Sequence, residues 1–320
     1  MAGLALMNHK SQKLYTMKKL FVAMFAALCV LSACKKDEDI VDDGSINSLF
    51  SVSPTKQVKF SKGNLQYQAV TGTWRFAENQ YDYKGEANSS ISDVFSGWID
   101  LFGWATSGWD CGNVYYMPYD KDFVDNDEIG LGYGPKPVPD KDLTGEFAKC
   151  DWGVNCAISN GGNKAGMWRT LSAEEWNYLA NDRTNAKSLY GAACIEGTNG
   201  LVLLPDDWTK PEGCTFTPGM GEHDDMSYYA RKNSMTIDQW RVMEKNGAVF
   251  LPACGTRVEY AQMTFVNDIG GYWSTTSFKD NSYFKECAYV FYFQSDMVMG
   301  KKYDSLRSYG RAVRLVRDAK

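Results

Sequence analysis

Two helix starts stand out in this chain, and both are written the same way. Ser172-Ala173-Glu174-Glu175 and Thr236-Ile237-Asp238-Gln239 each match a capping box, with a hydroxyl at the N-cap and Glu or Gln at N3. Each places a tryptophan four residues after its cap, Trp176 and Trp240. The first predicts a helix over 168–183. The second predicts one that runs through Met243 and stops at Gly247. Most other ordered stretches read as strands and turns, which sets the fold class as α+β.

The strand signals are local and short. Val58 and Phe60 alternate with Gln57, Lys59 and Ser61, a half-buried strand pattern. Phe50–Ser53 precedes it. Leu65–Gln68 and Thr73–Phe76 follow, after turns at Lys62-Gly63-Asn64 and Thr71-Gly72. Two apolar runs, 200–205 and 248–252, each end at a proline and read as buried strands. Further strands are expected at 271–276 and 287–293, then a turn near Gly300 and a closing strand at 312–316. Residues 77–165 are rich in Gly, Asp, Asn and aromatics with little periodicity, so they predict long loops pinned by buried indoles at Trp98, Trp104, Trp109 and Trp152.

The N-terminal segment carries an address. Lys18-Lys19, an apolar run from Phe21 to Val30 and Leu31-Ser32-Ala33-Cys34 form the three parts of a secretory signal. The run is shorter than the ~20 apolar residues that span a bilayer. The pattern resembles a bacterial lipobox, which implies a signal peptide at 17–33 and Cys34 as the lipid-bearing N-terminus; an uncleaved anchor helix is the alternative. Residues 1–16 then read as an upstream extension. Residues 34–48 include Lys35-Lys36-Asp37-Glu38-Asp39 and Asp42-Asp43, and carry too little apolar surface to order themselves. They resemble the acidic export signal of surface lipoproteins, which implies an outer-membrane protein exposed at the cell surface. A solvated periplasmic spacer is the other reading. Residues 49–320 are left as a single domain.

Composition narrows the chemistry. A net charge of −5 gives no electrostatic footprint for nucleic acid. Outside the signal and the lipidated position, seven cysteines remain: Cys111, Cys150, Cys156, Cys194, Cys214, Cys254 and Cys287. Their spacing excludes a zinc ribbon. Cys150 and Cys156 are close enough to pair across a short loop, or they are small buried hydrophobes like the rest. Beyond residue 16 there is one histidine, His223, flanked by Glu222, Asp224 and Asp225. That leaves little for Ser-His-Asp or Cys-His catalysis. The 222–225 group and a second acidic cluster, Asp122 to Glu128, hold oxygen ligands suited to a cation such as calcium, without the spacing of a known loop. Solvated loops are the preferred reading of both, and no cofactor is expected.

Several segments together form an ordered series. They are Trp168-Arg169-Thr170-Leu171-Ser172, Leu203-Leu204-Pro205-Asp206-Asp207-Trp208, Phe250-Leu251-Pro252-Ala253, Gly271-Tyr272-Trp273-Ser274-Thr275-Thr276 and Gly310-Arg311-Ala312-Val313-Arg314-Leu315-Val316. This series resembles the C-type-lectin-like fold of the sulfatase-modifying-factor (formylglycine-generating enzyme) superfamily, and most of all the non-enzymatic surface lipoproteins of gut anaerobes. The resemblance implies an irregular antiparallel sheet with two helices and long loops over about residues 50–317. It does not carry catalysis: the family's enzymes bind copper with a C-terminal cysteine pair close in sequence, whereas Cys254 and Cys287 lie far apart.

Residues 277–309 mix aromatic, Ser, Asp and Asn residues, as binding loops do. Their place before the closing strand resembles the variable region of diversity-generating-retroelement target proteins. That resemblance implies ligand contacts at Phe278, Asp280, Ser282, Phe284, Tyr289, Tyr303, Ser305 and Arg307. Phe291 and Phe293, which alternate with Tyr289, read as core. The expected function is a lipid-anchored receptor or adhesin for a glycan or a protein. The alternatives are an oxidase of the sulfatase-modifying type, needing Cys254 and Cys287 together, and a fimbria-associated structural subunit.

Overall fold

The strands expected at 50–53, 57–61, 65–68, 73–76, 200–205, 248–252, 271–276 and 287–293 form, and the computed structural model adds unforeseen ones, the longest at Tyr190–Ile195 and at Val298–Leu306 within the segment read as binding loops. It describes residues 43–90, 92, 94–109, 141–258, 261–278 and 287–319, all within one compact unit. The strands in chain order are β1 (Phe50–Ser53), β2 (Lys56–Phe60), β3 (Leu65–Gln68), β4 (Thr73–Phe76), β5 (Leu101–Phe102), β6 (Tyr190–Ile195), β7 (Thr198–Leu203) and β8 (Ser234–Met235). They continue as β9 (Val249–Pro252), β10 (Thr256–Arg257), β11 (Met263–Thr264), β12 (Gly270–Ser277), β13 (Cys287–Phe293), β14 (Val298–Leu306), β15 (Arg311–Ala312) and β16 (Val316–Asp318). The class is α+β, with sheet predominating.

The largest sheet has the order β14-β13-β12-β15-β5, antiparallel except where β12 runs parallel to β15. A second sheet, β8-β6-β7-β9, carries the two proline-ended apolar runs. The closing strand β16 pairs with β2, setting Val316 opposite Phe60, so the two ends of the described unit share one sheet. The expected closing strand over 312–316 is interrupted, because the carbonyls of Val313 and Leu315 turn away to accept from Leu65 N and Ser61 N.

Both capping boxes form as written. Ser172 and Glu175 exchange their two bonds at the start of Ala173–Asn177, and Thr236 and Gln239 do so at Ile237–Lys245. The first helix is shorter than 168–183. Arg169 exchanges both backbone bonds with Val316, which holds residues 168–171 extended, and a π-helical turn at Tyr178–Asp182 finishes the element. Two further short helices, Trp152–Asn155 and Ser227–Lys232, lack legible periodicity.

The turn expected near Gly300 lies earlier, at Gln294–Met297, and Gly300 sits inside β14. A Cβ there would stand 2.5 Å from the Asn177 Cα, so this glycine lets the first helix lie directly on the strand.

Each capped helix drives its tryptophan into a different part of the core. Trp176 is fully buried and stacks on Phe291 at 4.5 Å, beside Phe60 and Tyr272. Trp240 packs on Phe250 and Met235 against the second sheet. Trp74, Trp104, Trp152, Trp168 and Trp273 fill a third cluster. Of the loop indoles, Trp104 and Trp152 are buried as expected, while Trp98 and Trp109 are only half-buried. Among the described residues no helix is long and apolar enough to cross a membrane.

Candidate functional site

Four of the expected ligand contacts, Phe278, Tyr289, Ser305 and Arg307, are among the described side chains and lie toward one end of the β12–β13–β14 ribbon. Phe278 N and Arg307 Nε both donate to the Cys287 carbonyl, at 3.1 and 3.2 Å. The Phe278 ring meets Tyr289 edge-on at 5.5 Å. Ser305 lies opposite Ala288 and accepts from Arg311 Nε at 3.1 Å. The Arg307 guanidinium stacks over Trp104, and the Arg307 carbonyl accepts from Trp104 N.

These positions divide by exposure. Phe278, Ser305 and Arg307 are buried and spent on internal contacts, so they shape the ribbon end and do not present themselves to a ligand. Tyr289 is half-buried and faces outward, with Lys301 Nζ 4.8 Å above its ring. Lys301 also reaches Glu174 on the first helix. Lys302 points to the other face, where it covers Tyr292 at 3.9 Å. Met299 is exposed on the same strand. Asp280, Ser282, Phe284 and Cys34 lie outside the described residues, as does the side chain of Tyr303, whose backbone belongs to β14. The acidic cluster 122–128 also lies outside. Phe291 and Phe293 are fully buried core residues, as their alternation implied.

A buried polar seam under this sheet escaped the sequence reading. Arg314 is fully buried and donates to Gln80 Oε1 (2.6 Å), the Phe250 carbonyl (3.3 Å) and Asn64 Oδ1 (3.4 Å). Burial pulls its pKa down to about 10. Asn64 donates in turn to Tyr272 Oη and Cys254 Sγ. Asp100 accepts from Asn88 Nδ2 and Lys84 N, yet complete burial pushes its carboxyl up to about 6. Arginine and aspartate are ordinarily exposed, so residue type alone does not reveal this seam.

Burial holds Cys156, Cys194 and Cys254 toward the neutral thiol. Burial and then Asp100 push the Cys254 thiol well up. Cys156 is a free, buried thiol donating to the Ser107 carbonyl at 3.4 Å, so it is not bonded to Cys150. Burial and Asp151 raise it strongly. In the metal-free protein these two thiols are held in the neutral form, which is a weak nucleophile. His223 sits in an exposed loop, edge-on to Tyr228. Among the described residues no group of three or more His, Cys, Asp or Glu is arranged to hold a metal ion. No family model, curated protein or solved structure matches the chain.

Proposed function

We propose that this chain is a lipid-anchored binding protein of the outer membrane, exposed at the cell surface, with a C-type-lectin-like domain that engages a glycan or protein through its C-terminal third. The observation that supports this most is the surface of β13 and β14. Tyr289 and Lys301 stay within reach of solvent at one end of a ribbon face that Phe291 and Phe293, further along β13, lock into the core, while Met299 and Lys302 lie on the opposite face beside Tyr292. A rigid support with a half-exposed tyrosine and adaptable lysines is what a recognition surface needs. Among the described residues the buried Cys254 and Cys156 thiols are held protonated and His223 stands in an exposed loop, which supports binding as the first reading.

The lipobox and the charged residues after Cys34 support the anchor and the outward address. The diversified-region reading narrows to Tyr289 and the loop positions beyond the described residues, since Ser305 and Arg307 serve the fold itself. The test is a glycan array probed with the mature chain, in parallel with its Lys301→Ala variant. Discrete hits that weaken in the variant support the reading. Hits indifferent to it would move the binding surface elsewhere.

A further inference from the structure

Phe265 is 58 % exposed, and its backbone sits in the left-handed region at φ 55°. A bulky side chain rarely takes that conformation, and it persists only where the surroundings enforce it. Here they do. The Phe265 carbonyl accepts from both Asp268 N and Ile269 N. Two residues on, Asn267 is fastened on three sides: its N donates to the Ala253 carbonyl, its Oδ1 accepts from Asn199 N, and its Nδ2 donates to the Gly197 carbonyl. The aromatic ring is therefore held out on a rigid base.

A second exposed hydrophobe lies on a loop fastened beside this one. Asn199 Nδ2 donates to the carbonyls of both Asn267 and Met226, at 2.9 and 3.3 Å, which clasps the two loops together. Met226 is 44 % exposed. Carboxylates ring the pair: Asp224 and Asp225 precede Met226, Asp268 follows Phe265, and Glu196 is exposed in the turn that Asn267 grips. Burial, and then the charges of Asp224 and Asp225, raise the Asp268 carboxyl above its ordinary range, so the three acids share one field. Arg231, stacked over Tyr228, and His223 partly answer the charge of Asp225, which leaves Asp224, Asp268 and Glu196 as the main acids of this surface.

We propose that this Phe265–Met226 surface docks a cationic, apolar segment of another polypeptide. The apolar part supplies contact area to a pre-ordered aromatic, and Lys or Arg side chains answer the acids. A second copy of this chain would set acid against acid, and an anionic bilayer would be repelled. None of these residues belongs to the β13–β14 surface, so the inference stands apart from the function proposed above.

The experiment is selection of a random peptide library on the mature chain, with counter-selection on Phe265→Gly. Glycine suits φ 55° and the site is exposed, so this variant keeps its fold. Enriched peptides should carry Lys or Arg beside Leu, Phe or Trp. A synthetic consensus peptide should lose about tenfold or more in affinity on Phe265→Gly and several-fold on Asp268→Asn. Its affinity should also fall as salt rises to about 0.5 M. Phe265→Gly should leave ligand binding at the β13–β14 surface unchanged. The proposal is overturned if no enriched peptide depends on Phe265, or if the dependent ones are neutral or acidic. It is equally overturned if Phe265→Gly abolishes self-association or binding to phosphatidylglycerol vesicles instead.

Discussion

Asp100 gives the seam a pH signature opposite to that of an ordinary paired carboxylate. Its carboxyl is fully buried and rises from 3.8 to about 6. Between those values the native state binds more protons than the unfolded chain, so stability falls as pH rises through the window and levels off above it. A tenfold change in proton affinity is about 1.4 kcal/mol, so the full displacement costs about 3 kcal/mol near pH 7. Asp100→Asn removes the titration. It also sets an amide N–H against one of two donors, Asn88 Nδ2 or Lys84 N, a pH-independent cost of about 1–2 kcal/mol. Urea unfolding of both proteins at about pH 4 and about pH 7 isolates the term. The difference between them should move by about 2 kcal/mol in favour of the variant at the higher pH, since part of the titration is already complete at pH 4. A difference that does not change with pH, or one that moves toward the wild type, would refute the argument.

Other outcomes follow from single contacts. Thr236→Ala removes one half of the second capping box and should cost about 1 kcal/mol in thermal unfolding. Gly300→Ala drives a methyl into the Asn177 backbone and should cost about 1–3 kcal/mol, whereas a mere turn glycine would tolerate it. Iodoacetamide should label the half-exposed Cys214 in the native protein, and Cys156 and Cys254 only after unfolding. Burial pushes Glu175 up, but hydrogen bonds and charge from Arg169, the Ser172 N–H and Lys56 outweigh it. Glu175→Gln should therefore destabilise more at neutral pH than in acid, as chevron or melting data at both pH values would show.

The sequence disclosed what is local. Capping boxes at Ser172 and Thr236 are complete within four residues, and the Val58–Phe60 alternation is complete within five, so neither needs the rest of the chain. What it hid depends on distant partners. Arg169 is kept out of the helix by Val316, 147 residues on, and Gly300 is inside a strand because Asn177 lies against it. The site was legible to the same degree. The core role of Phe291 followed from alternation, whereas the partial exposure of Tyr289, two residues away on the same strand face, did not. The burial of Ser305 and Arg307 did not, because Arg311, Cys287 and Trp104 absorb them only once the sheet has formed. The Phe265 surface left no trace in the sequence, since left-handed backbone at a phenylalanine has no residue signal.

Titration calorimetry of the array-identified ligand against the mature chain and its Tyr289→Ala variant tests the binding account most directly. Tyr289 is half-exposed at the end of its strand face, and the core residues Phe291 and Phe293 further along are unchanged, so the variant keeps its fold. Affinity about tenfold weaker or more, with an unaltered melting temperature, is the expected result. Equal affinity for both proteins would contradict the account.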